Sequence, residues 1–414
     1  MFRKFPFLFL LFANFIFAEP DYQFIGDINM SPYAGGEDLI SVQHFLMEGE
    51  DWLLRRPPTE KSWGRSVGRF FELIGWDIVD TYLMVTQHEI FGHGYRIRDL
   101  GRHYAKVSGY EFNWDGAVTK FGISENLTTS QMTTIAIGGV EATAILANRL
   151  RFKFLENGRI DGRESALYLQ SQQDLTHYIY SMKNILEPSP GGHDISSYLF
   201  YLNSTYPKGT LTKDNLQILA ALNLLDPFTF YAYYAWGKFI VDGKPMHIPM
   251  IHIKDYKYLP SARLGLTPFG PEYFLENFLV KDRKPIYFYL KWGSFADNNY
   301  FGLGIEQPHL FSWESLFLGY RFDAWYQPKV LSQKGAIQAF NLEENPSLSR
   351  VIFPYPQSVL DKKIPGASFS LLFEARVRDK CYFYLESGFK TKGFLPGQAL
   401  RSSPIFRGGF SLHF

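Results

Sequence analysis

The chain has 414 residues, with 42 Lys plus Arg against 41 Asp plus Glu, so its charges nearly cancel and no nucleic-acid partner is expected. Aromatic residues make up 18% of it, more than a soluble core needs, which points to a membrane-facing surface. The single cysteine, Cys381, excludes an internal disulfide and any cysteine-rich metal site.

Arg3 and Lys4, the apolar run from Phe5 to Phe17, and Ala18 read as a signal peptide over residues 1–18. That run is too short to cross a bilayer comfortably, and no later stretch reaches ~18 uncharged apolar residues. Residues 19–257 read as a mainly helical domain. A long helix is expected over 65–99, carrying Phe70, Leu73, Trp76, Val79, Leu83 and Ile90 and stopping at Gly101. Trp114-Asp115-Gly116 marks a hairpin within 104–122. Helices are expected over 127–155 and over 161–186, the latter opened by Asp161 and Glu164. After a break at Glu187 to Gly192, shorter ones follow over 194–203, 212–224 and 227–240.

From residue 258 the periodicity changes to two. Between Ala367 and Arg378, the residues Phe369, Leu371, Phe373 and Val377 share one face. Ser368, Ser370, Glu374 and Arg376 share the other, with Leu372 the exception. Eight such segments can be counted: 260–267, 271–280, 283–293, 298–307, 313–327, 366–379, 380–391 and 403–414. Short turns are expected at Asp282-Arg283 and Asp379-Lys380, and the longest connection over 328–365. The expected fold is α+β: a mainly helical domain, then an eight-stranded antiparallel β-barrel over 258–414. A barrel of that size is filled by side chains and leaves no wide pore. The last segment places Phe406, Phe410, Leu412 and Phe414 at alternating positions. It resembles the terminal strand of bacterial outer-membrane barrels. The resemblance implies a bacterial outer-membrane location, lipid as a partner, and a helical domain facing the periplasm.

One segment carries candidate chemistry: Gln87-His88-Glu89-Ile90-Phe91-Gly92-His93-Gly94. It resembles the His-Glu-x-x-His helix of zincin-type zinc peptidases, in which two histidines one turn apart bind zinc and the Glu activates water. Here His88 and His93 are five residues apart, which on a regular helix turns the rings ~140° from each other. A π-bulge near Gly92 would absorb the extra residue. Alternatively, Glu89 and His93, correctly spaced at four, are both ligands. Further on, Glu141 is the only charge in a run of 14 residues, with small neighbours. A lone buried carboxylate must be paired, protonated or metal-bound. Glu141 with Ala144 resembles the later-helix Glu ligand of gluzincins.

That resemblance implies a zinc site of His88, His93 and Glu141, with Glu89 as general base. Asn148 and Asp80 are supporting candidates beyond the ligands. His103 is a substitute ligand, and Asp174 with His177, His193-Asp194 and His247 with His252 are further pairings. For each of these, an ordinary surface or core histidine is the preferred reading. The expected function is an outer-membrane-anchored zinc hydrolase acting on a peptide or protein. The alternatives are a non-enzymatic outer-membrane protein whose helical part binds a periplasmic partner or supports the barrel, and a hydrolase acting on lipid.

Overall fold

A computed structural model describes residues 21–54, 62–113, 116–123, 127–182, 193–313, 315–331, 351–352 and 357–413. The signal peptide, the hairpin tip Trp114-Asp115, the Glu187 to Gly192 break, most of the 328–365 connection and Phe414 therefore lie outside the described residues.

The chain opens with strand β1 (Asp21–Gly26) and helix α1 (Pro32–Leu54), neither expected from periodicity. The long helix forms as α2 (Trp63–Thr86), a π-helical turn (Gln87–His93) and α3 (Gly94–Leu100), stopping at Gly101 with φ 93°. The hairpin follows as β2 (Ala105–Asn113) and β3 (Gly116–Ile123). The expected 127–155 helix is two, α4 (Thr129–Ala136) and α5 (Gly138–Asn157), parted at Ile137. A Thr128–Gln131 capping box starts α4, and left-handed Gly158 ends α5. Four more helices follow: α6 (Ser165–Ser181), α7 (Asp194–Thr205), α8 (Lys213–Ala220) and α9 (Pro227–Asp242). Asp226 caps α9 by accepting from the Phe228 and Thr229 N–H groups.

Strands β4 (Ile251–Ile253), β5 (Tyr256–Thr267), β6 (Gly270–Lys281), β7 (Lys284–Phe295), β8 (Asn298–Trp313), β9 (Leu316–Pro328), β10 (Lys363–Arg378), β11 (Cys381–Lys390) and β12 (Ser403–His413) complete the chain. All eight expected strands are present and pair antiparallel in order. The tight turns fall where expected, with Asp282, Arg283 and Lys380 in the left-handed region that two-residue hairpins favour.

The expectation of a closed eight-stranded barrel is corrected. Among the described residues the sheet has ten strands, in the order β1-β12-β11-β10-β9-β8-β7-β6-β5-β4, and is not closed. β1 extends it beyond β12, with Phe24 opposite Phe410, and three-residue β4 ends the other edge. Closure needs those two edges to bond, whereas helices pack against the sheet instead.

The sheet is polar inside and apolar outside. Glu276, Lys291, Glu306, Arg321, Glu386 and Arg407 are buried on the face turned to the helices. Leu275, Leu290, Trp292, Phe301, Leu303, Phe369, Phe389, Phe406 and Phe410 are exposed on the other. Leu290 stands between Leu275 and Leu303 in register, and Phe383 opposite Phe410, so the exposed apolar residues form cross-strand rows. Leu372, the exception in its strand, is buried with Ile25, Ala34 and Tyr384.

The buried charges alternate in sign. Arg149 of α5 donates to Glu37 of α1 and to Glu306 of β8, both at 2.6 Å. Arg321 joins Glu306 at 2.9 Å to Glu386 at 3.0 Å, and Arg407 reaches Glu386 at 2.7 Å. Arg151 reaches Glu276 at 2.6 Å. These ion pairs dock α1 and α5 on the polar face. The hydrophobic cores also mix the two halves: Ile137, Val140 and Leu199 pack with Leu264, Phe269 and Tyr300.

Candidate metal centre

The π-helical turn absorbs the extra residue between the two histidines. Its last N–H, on Gly94, bonds the Glu89 carbonyl five residues back. Side chains add hydrogen bonds to the carbonyls of this turn. Arg98 donates to the Ile90 carbonyl at 2.6 Å and Thr119 of β3 to that of Glu89 at 3.1 Å. Glycines let α5 come against this turn. A methyl on Gly92 would lie 2.6 Å from the Gly138 carbonyl oxygen, and one on Gly139 would lie 2.1 Å from His88 Nε2.

With the turn widened, His88 and His93 face the same point. Their Nε2 atoms are 3.1 Å apart. Asp194, the first residue of α7, places Oδ2 3.0 Å from His88 Nε2 and 3.1 Å from His93 Nε2. Among the described residues this is the one group of three donor atoms close enough to hold a metal.

The outer ring atoms fix the tautomers. His93 Nδ1 lies 2.7 Å from the Ile135 carbonyl, which can only accept, so Nδ1 carries the hydrogen. His88 Nδ1 donates to Asp174 Oδ2 at 2.9 Å, and that oxygen also accepts from Thr143 at 2.7 Å. The ring of Tyr178 stacks on His88, with centroids 5.2 Å apart. In the neutral imidazoles both Nε2 atoms therefore present lone pairs to each other and to a carboxylate. Three acceptors converging in this way can be satisfied by a metal cation or by protons on the imidazoles.

The spacing fits zinc. Bonds of ~2.0–2.1 Å in a tetrahedral site put donor atoms ~3.3 Å apart, close to the observed triangle. Hydrogen bonds to carboxylate or carbonyl at the far ring nitrogen are the usual support of a metal-bound histidine. Without a metal, protons must fill the same role. Burial opposes charging His88, but Asp174 and then Asp194 outweigh it and hold the imidazole well above its ordinary value. Burial likewise opposes charging His93, and Asp194 reverses it. The Asp194 carboxyl, pushed up by burial, is pulled further down by the two imidazoles and stays well below the usual carboxylate range.

Glu89 flanks the triad. Its Oε2 accepts from the Thr119 hydroxyl at 2.6 Å. Its charge is felt by both His93 and Tyr178. The alternative in which Glu89 and His93 are the ligand pair is not what the geometry brings together, because the π-turn aligns His88 with His93 instead.

Glu141 is a correction. It does not join the histidines, because Arg96 claims it: Nε donates at 2.9 Å and Nη2 at 2.5 Å, and the Gly397 N–H donates at 2.5 Å. Arg96 is fully buried and lies three residues beyond His93. Asn148 is also away from the triad, lining a small cavity with Tyr33, Tyr289 and Asp323. Asp80 does not support a histidine. It accepts from Gln43 at 2.7 Å and from the Leu167 N–H at 2.9 Å, tying α2 to α1 and to the start of α6. His103, His177, His247 and His252 stand outside the group.

In sequence, Asp194 and Asp174 pair most simply with the nearby His193 and His177, neither of which joins the group. The available signal was position: an Asp opening a helix, and an Asp on the buried face of another.

No family model, no curated protein and no solved structure matches this chain.

Proposed function

We propose that this protein is a zinc-dependent hydrolase of the bacterial outer membrane, with His88, His93 and Asp194 as ligands and Glu89 as general base. The observation that carries the reading is the meeting of three acceptor atoms within 3.1 Å while both outer ring nitrogens are already used. Three protein donors leave a fourth position open, as catalytic rather than structural zinc sites do. Asp194 retains partial exposure, its side chain at 19%, so the group opens toward solvent.

Zinc bound there would supply a water of lowered pKa and would polarise a carbonyl. The chain's own residues do the rest. Asp174 and the Ile135 carbonyl hold the imidazoles in the ligating tautomer. Thr119 orients the Glu89 carboxylate beside His93, where it can take a proton from an attacking water. The reaction class is hydrolysis of an acyl bond, with a peptide or protein as first candidate substrate and a lipid as second. Support for the outer-membrane location is the sheet's surface: ion pairs are buried among the core residues on its inner face, and aromatic and aliphatic side chains form rows on its outer one.

The test uses the chain folded in detergent and loaded with zinc, assayed on internally quenched peptides and on acyl esters. Glu89→Gln should keep its zinc and lose ~10²–10⁴-fold in turnover, the range a positioned acid–base group contributes. Equal turnover in both proteins would remove Glu89 as general base, and zinc binding with no turnover in either would leave a binding role and remove the hydrolase.

A further inference from the structure

The sheet is not the only apolar surface. Helix α2 exposes Trp63, Phe70, Phe71, Ile74, Ile78 and Tyr82. At 100° per residue these fall on one arc, with Val67 and Thr81 among them and no charge. Four of the five charges of α2 lie away from the arc, and the fifth, exposed Asp77, lies ~20° outside its edge beside Phe70. Arg69 donates to the Ile240 and Val241 carbonyls of α9, Asp77 accepts from Gln170, and Asp80 is buried against α1. Arg65 and Glu72 fall on the flank opposite the arc. Beside α2, helix α9 exposes Phe230, Tyr233, Tyr234 and Val241, again without a charge among them.

Helix α9 packs directly on the sheet, Phe228 against Phe278, whereas α2 is separated from it by α1 and α5. Glu306 of β8 binds Arg149 of α5, which binds Glu37 of α1, and Gln43 of α1 binds Asp80 of α2. So α1 and α5 are the filling of a three-layer stack, and its two outer surfaces are the sheet's outward face and the α2 arc. A second copy or a partner protein covers one side. A bilayer surrounds both.

We infer that the exposed faces of α2 and α9 contact bilayer hydrocarbon, continuing around the molecule the lipid-facing surface of the sheet. Length supports it. Nineteen residues separate Trp63 from Tyr82, ~29 Å at 1.5 Å per residue, against ~30 Å of hydrocarbon. The arc begins on Trp and ends on Tyr, the residues that settle at the two membrane interfaces. Among the described residues no helix is long and apolar enough to cross a membrane alone. Helix α2 does so as part of a wall, with one face on lipid and the other on α1. The arrangement puts His88 six residues, ~9 Å, beyond Tyr82, at headgroup depth. The metal centre would then meet substrates presented at the membrane surface.

This inference rests on the reading of the sheet's outer face as lipid-facing, and the experiment separates the two. In a Cys381→Ser background, Ile74→Cys, Tyr234→Cys and Leu290→Cys are each nitroxide-labelled. Ile28→Cys, on a fully exposed turn, serves as the aqueous control. The proteins are reconstituted in phosphatidylcholine vesicles, and collision with oxygen is compared with collision with a water-soluble nickel chelate. At Ile74 and Tyr234 oxygen should exceed nickel severalfold, as at Leu290, with the reverse at Ile28. Nickel access at Ile74 and Tyr234 alone overturns the inference and leaves the sheet reading intact. Nickel access at Leu290 as well overturns both. Shielding of the helix labels from both reagents assigns that face to a protein partner and overturns the inference.

Discussion

Two buried polar regions of this molecule are built on opposite rules. Between α5 and the sheet, four buried acids meet guanidinium groups: Glu37, Glu306, Glu386 and Glu276 are each bonded to Arg149, Arg321, Arg407 or Arg151. Around the π-turn, Asp194 meets two imidazoles whose lone pairs face it, and Asp174 and the Ile135 carbonyl have already taken the ring hydrogens. The first network closes on itself. The second closes only through protons on the two imidazoles or through a metal in their place. Burial of a carboxylate is thus no sign of metal; the sign is a set of donor atoms that converge on one point.

Glu141 belongs to the first kind, and removing it sharpens the contrast most. Glu141→Ala leaves the fully buried Arg96 without its carboxylate, and breaking a buried pair from one side costs about 3–5 kcal/mol. Chemical unfolding should show that loss while zinc content stays unchanged; a loss of zinc with intact stability would move Glu141 back into the metal site.

Asp174→Asn acts on the second region. It removes a charge behind His88 without touching the ligand atoms. Zinc affinity should fall ~10–100-fold, the usual effect of losing a carboxylate that supports a ligand histidine. Competition with a chromophoric chelator measures it, and an unchanged affinity would make Asp174 a packing residue only.

The smallest expected effect is in pH. In the metal-free chain His88 and His93 have native pKa values raised above 6.5. Stability from such groups is fully present below the unfolded value and is lost as pH rises through the native one. Metal-free protein should therefore melt lower as pH rises above the ordinary imidazole value of ~6.5. Zinc competes with those same protons, so its stabilisation grows across that window. Melting curves with and without chelator should diverge as pH rises; parallel curves would separate the imidazoles from the metal.

Much of this was written locally in the chain. The His88 and His93 spacing together with Gly92 predicted a π-bulge, because five residues bring two rings together only on a wider turn. Alternation in β10 predicted which side chains face out, since a strand has only two faces. What was not legible depended on distant partners. Glu141 looked like a lone charge because nothing in its own helix answers it; its partner Arg96 is on α3, 45 residues earlier. Asp194 reaches the histidines across 101 residues from His93. Sheet closure was overestimated because alternation describes single strands, whereas the fate of the edges is decided by β1 and by helices packed on the polar face.

The most direct measurement is the zinc stoichiometry of the folded chain beside Asp194→Ala and Glu141→Gln. The account predicts one zinc per native chain, retained in Glu141→Gln and lost in Asp194→Ala. No zinc in the native chain, or zinc lost with Glu141 and kept without Asp194, would contradict it.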